Sequence, residues 1–213
     1  IMKRPIEIID DFYTEKELKT VFEESDKLEF YPTCQPYKCR DEYSSRFQAY
    51  PCWQAKFCDI NGVPNSKENQ AYINLEKKLK ELLPNIQIRF VHTFFRKIYQ
   101  EEIAKSVCYT GKGTIHADTE EYGIAGVIYL DKGYSFNAGT NLYTRDNTGS
   151  QFEHDIQVGS VFNRCIIYDS SILHQPLFDM NVKSRFIQPF FITAEDGNKF
   201  KKREEKYDIN NCI

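Results

Sequence analysis

The sequence predicts an α+β chain in which helices come first and an antiparallel jelly roll or sandwich follows. Three observations predict it. Before residue 85 the apolar residues recur at helical spacing, from residue 86 they alternate, and the second half breaks into short runs separated by Gly and Asn. Aromatic residues make up 15% of the 213 residues, mostly Phe and Tyr, which suits a pleated surface.

Residues 5–10 read as a short strand. Thr14 and Glu17 form a capping box in which the threonine caps the helix start and the glutamate reaches back. Leu18, Val21, Phe22 and Leu28 make the apolar stripe of that first helix. Residues 31–65 are irregular, broken by Pro32, Pro36, Pro51 and Pro64, and a loop of that length is often functional. Ser66 is expected to cap a second helix with Tyr72, Leu75, Leu79 and Leu82 on one face and Pro84 ending it. Strands are expected at 86–95, 103–110, 114–119, 124–131, 139–144, 153–158, 160–169, 173–177 and 184–193. So many short strands favour a jelly roll or sandwich.

The formal charge is −3, which argues against a nucleic-acid partner, since that needs a basic surplus or stripe. The basic run from Lys199 to Lys206 is offset by Glu204, Glu205 and Asp208 and reads as a solvated tail. No apolar run approaches the roughly 18 residues of a spanning helix, so no membrane association is expected. Seven cysteines contain no C-x-x-C pair: four, twelve and five residues separate Cys34, Cys39, Cys52 and Cys58. That disfavours a zinc cluster. With no secretory leader read ahead of them, reduced thiols in a cytoplasmic protein are expected, with Met2 as the native start. The oligomeric state is not legible.

The chemistry concentrates in His116, Asp118, His174 and Arg185. Alternate residues of a strand point the same way, so His116 and Asp118 can reach one ion. His174 follows Asp118 by 56 residues, next to the turn formers Ser170 and Ser171 and close to Pro176, a constrained place for a ligand. Two His and one carboxylate are the donor set of mononuclear Fe(II) sites with open positions. A His-x-Asp tripeptide alone is a weak signal. His92 shares parity with Ile86, Ile88 and Phe90 and reads as a core histidine, whereas His154 reads as an exposed loop residue. Arg185 lies in a strand rich in Phe and Ile and needs an anionic partner, either a protein carboxylate or that of a ligand.

The stretch from Cys108 through Tyr109, Gly111 and Gly113 to His116 and Asp118 resembles the lead into the metal motif of prolyl-hydroxylase-like 2-oxoglutarate/Fe(II) oxygenases. Ile128-Tyr129-Leu130-Asp131 is similar to a Tyr-Leu-Asn strand of that family, and Ala138 to Tyr143 to its Gly-rich strand. The likeness covers about residues 105–193, with a fainter one at 5–30. It implies a double-stranded β-helix (jelly-roll) core flanked by helices. One domain is then expected, with residues 1–85 supporting a catalytic core over 86–195 and a polar tail over 196–213. It implies that His116, Asp118 and His174 hold Fe(II), that Arg185 and Tyr129 bind the distal carboxylate of 2-oxoglutarate, and that Tyr109 lies near the metal. The implied reaction couples O2 and 2-oxoglutarate to hydroxylation of a C–H bond, releasing succinate and CO2, on a peptide or small-molecule substrate. Asp118 disfavours a halogenase, and Phe191 stands where the nucleic-acid demethylases carry a second arginine. The alternatives are a jelly-roll binding module with a vestigial metal site and a cupin-like hydrolase or isomerase.

Overall fold

The computed structural model describes residues 6–32, 52–56, 69–105, 115–118, 123–133, 135–145, 152–179 and 181–194. Among the described residues ten strands fall in two antiparallel sheets. The larger holds β1 (Ile6–Ile9), β8 (Cys165–Asp169), β5 (Ile124–Tyr129), β10 (Ser184–Ala194), β4 (Ile88–Tyr99), β3 (Trp53–Lys56) and β2 (Tyr31–Pro32), in that spatial order. The smaller holds β7 (Phe152–Ser160), β6 (Ser135–Arg145) and β9 (Leu173–Leu177), and His116 adds a bridge to His174 beyond β9. From β4 onward the chain repeatedly switches between the sheets, which is the winding of a jelly roll.

Alternation gives the larger sheet two apolar faces. Val91, Phe95, Ile124, Ile128, Ile167, Phe190 and Ile192 face the helices, and Ile98, Ala125, Tyr129, Ile166, Tyr168 and Ile187 face the smaller sheet with Leu142 and Val158. The candidate ligands His116, Asp118 and His174 belong to this second space. Helix α1 (Glu15–Asp26) starts at the expected capping box: Glu17 N–H donates to Thr14 Oγ1 at 3.3 Å and Thr14 N–H to Glu17 Oε2 at 2.8 Å. Helix α2 (Gln70–Leu82) buries Ala71, Tyr72, Leu75 and Leu79 against the same sheet face. Asn163, at φ 62°, fastens the N-terminal segment. Its side chain accepts from Tyr13 N–H at 2.9 Å and donates to Tyr13 O at 2.7 Å, while its own N–H donates to Tyr129 O at 2.7 Å.

Several expected boundaries move. Asn69, not Ser66, caps α2 by accepting from Tyr72 N–H at 3.0 Å, and Leu82 turns outward at 37% exposure. The strand expected from 103 is replaced at its start by a short helix, α3 (Gln100–Lys105). Gln, Glu, Ala and Lys favour that turn, and Ile103 still buries its side chain, at 2% exposure. The strand expected over 114–119 is reduced to the bridge at His116 within residues 115–118. The region 1–85 also supplies three strands, β1–β3, to the larger sheet.

Candidate active site

Backbone pairing sets the three sequence-selected ligands. His116 N–H donates to His174 O at 3.0 Å, and His174 N–H returns to His116 O at 2.8 Å. Asp118 N–H donates to Ser170 O at 3.0 Å, which holds the next same-side residue against the turn before β9. On its other side β9 pairs with β6, with His174 opposite Leu142, a member of the inner core. The imidazoles of His116 and His174 therefore meet with centroids 4.3 Å apart, and His174 Nε2 lies 3.7 Å from Asp118 Oδ2. One ligand atom from each of the three lies within 4.8 Å of the others, close enough for a single ion to join them.

The protonation states suit a metal. His174 Nδ1 is 3.0 Å from Ile172 O, which only accepts, so Nδ1 carries the proton and the Nε2 lone pair faces Asp118. Burial pushes the His174 pKa down to about 4, against a smaller upward pull from the Ile172 carbonyl, so the ring is a neutral ligand. Burial also pushes Asp118 up to about 6, opposed by the charges of His116 and then Arg96. Asp118 Oδ2 is buried and has no hydrogen-bond partner. A carboxylate oxygen held in that state is costly unless a cation meets it. The orphan oxygen, the fixed tautomer and the N/N/O donor set fit a divalent metal with open positions.

Arg185 points into the same inter-sheet space. It is 6% exposed and donates Nη1–H to Leu177 O at 2.9 Å and Nη2–H to Gly139 O at 3.1 Å. These bonds tie it to β9 and β6. Its Nε is buried without an acceptor. Among the described residues no carboxylate forms an ion pair with it, although the Asp131 carboxyl is near enough to feel its charge. Its guanidinium carbon lies 5.3 Å from the Tyr129 ring centroid. Tyr129 is fully buried, with its hydroxyl 2.8 Å from Thr140 Oγ1. Gly139, at φ 143°, brings its strand so close to β7 that a Cβ there would meet Val158 O. Asp131 lies at the same end and accepts Phe186 N–H at 2.7 Å. Burial pushes its pKa up to about 6, against that bond and the charge of Arg185.

Other expectations resolve unevenly. His92 is buried at 9% exposure, its ring 6.2 Å from Phe191 and 5.7 Å from Phe94, as a core histidine should be. His154 lies in strand β7, not in a loop. Tyr109 lies outside the described residues, as do residues 33–51 and 57–65 of the irregular stretch. Trp53 lies opposite Lys97, whose ammonium sits over Phe30 on the helix side, and donates Nε1–H to Glu102 at 3.0 Å. It packs β3 onto α3. Cys52 and Cys165 are buried free thiols, and the other cysteines lie outside the described residues. Thr140 and Arg96 were not singled out from the sequence. Parity with His92, Phe94 and Ile98 is the signal that could have placed Arg96 on the inner face.

No protein-family model matches the chain, and no curated protein does. Solved structures do. A 2OG-Fe(II) oxygenase family oxidoreductase from Burkholderia pseudomallei superposes with a TM-score of 0.59 at 10% identity, covering 89% of this chain and 85% of that one. A prolyl hydroxylase from Trichoplax adhaerens, in complex with a hypoxia inducible factor oxygen degradation domain peptide fragment, gives 0.56 at 13% identity, covering 92% and 87%. HygX from Streptomyces hygroscopicus, with nickel and 2-oxoglutarate bound, gives 0.57 at 10% identity, covering 91% and 84%. The chain has the jelly-roll fold of these oxygenases. Among the described residues no helix is long and apolar enough to cross a membrane.

Proposed function

We propose that this chain is an Fe(II)- and 2-oxoglutarate-dependent dioxygenase that hydroxylates a C–H bond of a peptidyl or free amino acid, proline among the candidates, with release of succinate and CO2. The observation that carries the reading is the convergence of His116, Asp118 and His174 in one space with the buried Arg185. His116, Asp118 and His174 would hold the metal, which supplies the open positions where a keto acid and O2 react. Arg185 would receive the distal carboxylate of 2-oxoglutarate through its remaining N–H groups, since only two of the five are given to carbonyls. Tyr129 would add its hydroxyl, positioned by Thr140. Neutral His174 binds without first losing a proton, and its Ile172 bond keeps the ring from turning. Phe94, Phe191, Tyr168 and Leu142 line the space with apolar surface, which limits water beside the reacting groups.

The test is succinate formation from 2-oxoglutarate with Fe(II) and O2, against a His116→Ala/Asp118→Ala double variant. Anaerobic Fe(II) and 2-oxoglutarate should also give a visible charge-transfer band that the variant lacks. No succinate above that control, together with no metal-dependent binding of 2-oxoglutarate, would sink the reading.

A further inference from the structure

One turn supports two of the three candidate metal ligands, and a single carboxylate closes it. Residues 169–172 join β8 to β9. Ile172 N–H donates to Asp169 O at 3.0 Å, so the four residues form a hydrogen-bonded β-turn. Asp169 Oδ1 then accepts twice, from Ser171 N–H at 2.9 Å and from Ser171 Oγ–H at 2.7 Å. Asp169 is itself fixed by the larger sheet, since it is the last residue of β8 and lies opposite Ile124 of β5. Its side chain therefore sets the backbone dihedrals of Ser170 and Ser171 against a rigid base. Two carbonyls leave this turn toward the site. Ser170 O accepts Asp118 N–H at 3.0 Å, and Ile172 O lies 3.0 Å from His174 Nδ1. The first sets where the Asp118 side chain departs from the backbone. The second keeps the proton on Nδ1, with Nε2 turned toward Asp118 Oδ2 at 3.7 Å. His116 is placed otherwise, by its two backbone bonds with His174. The aim of a carbonyl depends on the dihedrals on either side of it, so opening the turn moves both acceptors at once.

We propose that Asp169 is a positioning residue for the metal centre: by closing the turn it aims the Ser170 and Ile172 carbonyls, and through them it fixes Asp118 and His174 relative to one another. It lies outside the group of three ligand residues and acts only through these bonds. Both of its turn bonds fall on one oxygen, so the geometry needs an acceptor at that point and not a negative charge. This inference rests on the reading above for the identity of the ligands as a metal centre, and the test separates the two.

The experiment compares wild type with Asp169→Ala and Asp169→Asn. In metal-free protein held at one pH, NMR reads the hydrogen exchange of backbone amides and the nitrogen signals of the His174 ring. Asp169→Ala should speed exchange of the Asp118 amide about fivefold and move the His174 ring away from the pure Nδ1–H form. The His116 and His174 amides, which bond each other's carbonyls, should exchange as in wild type and serve as the internal control. Zn(II) affinity by competition calorimetry should fall about tenfold, the scale on which the outer partners of a ligand tune a site. Asp169→Asn should restore both, because its amide oxygen can accept the same two bonds. Melting temperature in chelator should move little in either variant, since the turn bonds end on the exposed Ser171. An unchanged Asp118 amide or Zn(II) affinity in Asp169→Ala, an Asn variant as impaired as the Ala variant, or control amides that open together with Asp118 would each overturn the proposal. Ser171→Ala removes only the Oγ–H bond and should give the same pattern at smaller amplitude, which keeps the test decisive if Asp169→Ala does not fold. A wild-type protein that binds Zn(II) but no 2-oxoglutarate sinks the dioxygenase reading instead. The amide and ring signals come from metal-free protein and decide the role of Asp169 in either case.

Discussion

Replacing Asp118 by Asn should stabilise the metal-free protein at alkaline pH and weaken its response to metal. Burial raises the folded-state pKa from the ordinary 3.8 to about 6. The proton then binds the native state more tightly than the unfolded chain. The stability this gives is fully present below about pH 4 and is lost as pH rises through about 6. At about 1.4 kcal/mol per tenfold change in proton affinity, the shift is worth at most about 3 kcal/mol. Water reaching a side chain that is 11% exposed, and its linkage to His116, reduce this to ~1–2 kcal/mol. For a chain near this size, that is roughly 3–6 °C in melting temperature. Asn keeps the volume and carries no charge, so in chelator its melting temperature should exceed wild type by that margin near pH 8, and the gap should close at about pH 4.5. Mn(II) at about a hundred times its Kd should add about 2.7 kcal/mol to wild type and much less to the variant, so their order reverses. Thermal melts at three pH values, with chelator or Mn(II), read all of this. A variant that melts lower than wild type in chelator at pH 8, or metal that protects both equally, would refute the account.

Arg185→Lys keeps the charge but loses the planar fork, so 2-oxoglutarate affinity by calorimetry should fall about 10–100-fold, and an unchanged affinity would remove Arg185 from the co-substrate site. Tyr129→Phe loses a hydroxyl worth ~1 kcal/mol to the keto acid, so its KM should rise roughly fivefold, and urea titration should show a loss of about 1–2 kcal/mol because the buried Thr140 hydroxyl loses its partner. Gly126→Ala places a Cβ against the Phe190 ring and 2.6 Å from Ile166 O, and urea titration should show a loss of about 2–3 kcal/mol. Gly139→Ala places a Cβ against Val158 O and disturbs the carbonyl that holds Arg185, so it should lower both stability and keto-acid affinity, and a loss of stability alone would separate that strand position from the pocket.

The pleated half of the fold was readable because strand alternation depends on the residue's own parity. The runs at 124–131, 173–177 and 184–193 needed only the pattern of apolar residues to be placed, and the structure sets them at 124–129, 173–177 and 184–194. Helix starts were less readable, because several polar residues near a start can each serve as a cap. Ser66 and Asn69 both qualify by type, and only the backbone decides that Asn69 accepts from Tyr72 N–H. At residue 103 one apolar side chain buried in the inner core looked like a strand start, although the residues around it favour a helical turn.

Pairing between distant strands is what the sequence could not supply, and it explains which site residues were found. His116, Asp118 and His174 announce themselves by type, so they were found before anything placed them together. Arg185 was found because a cation among Phe and Ile residues demands a partner, but the partner could not be named: the fold answers that demand with the carbonyls of Leu177 and Gly139, 8 and 46 residues away in sequence. Thr140 is a common residue in a strand, and its contact with the Tyr129 hydroxyl depends on the two sheets facing each other. Arg96 was missed for a related reason. Its strand mixes charged and aromatic residues on both faces, and Lys97 beside it does turn outward, over Phe30. Parity with His92, Phe94 and Ile98 points to the inner face, and the register that sets Arg96 opposite Ile187 and Gln54 assigns it there. The three candidate ligands are therefore legible from residue chemistry alone, whereas the partners of Tyr129 and Arg185 become legible only with the register.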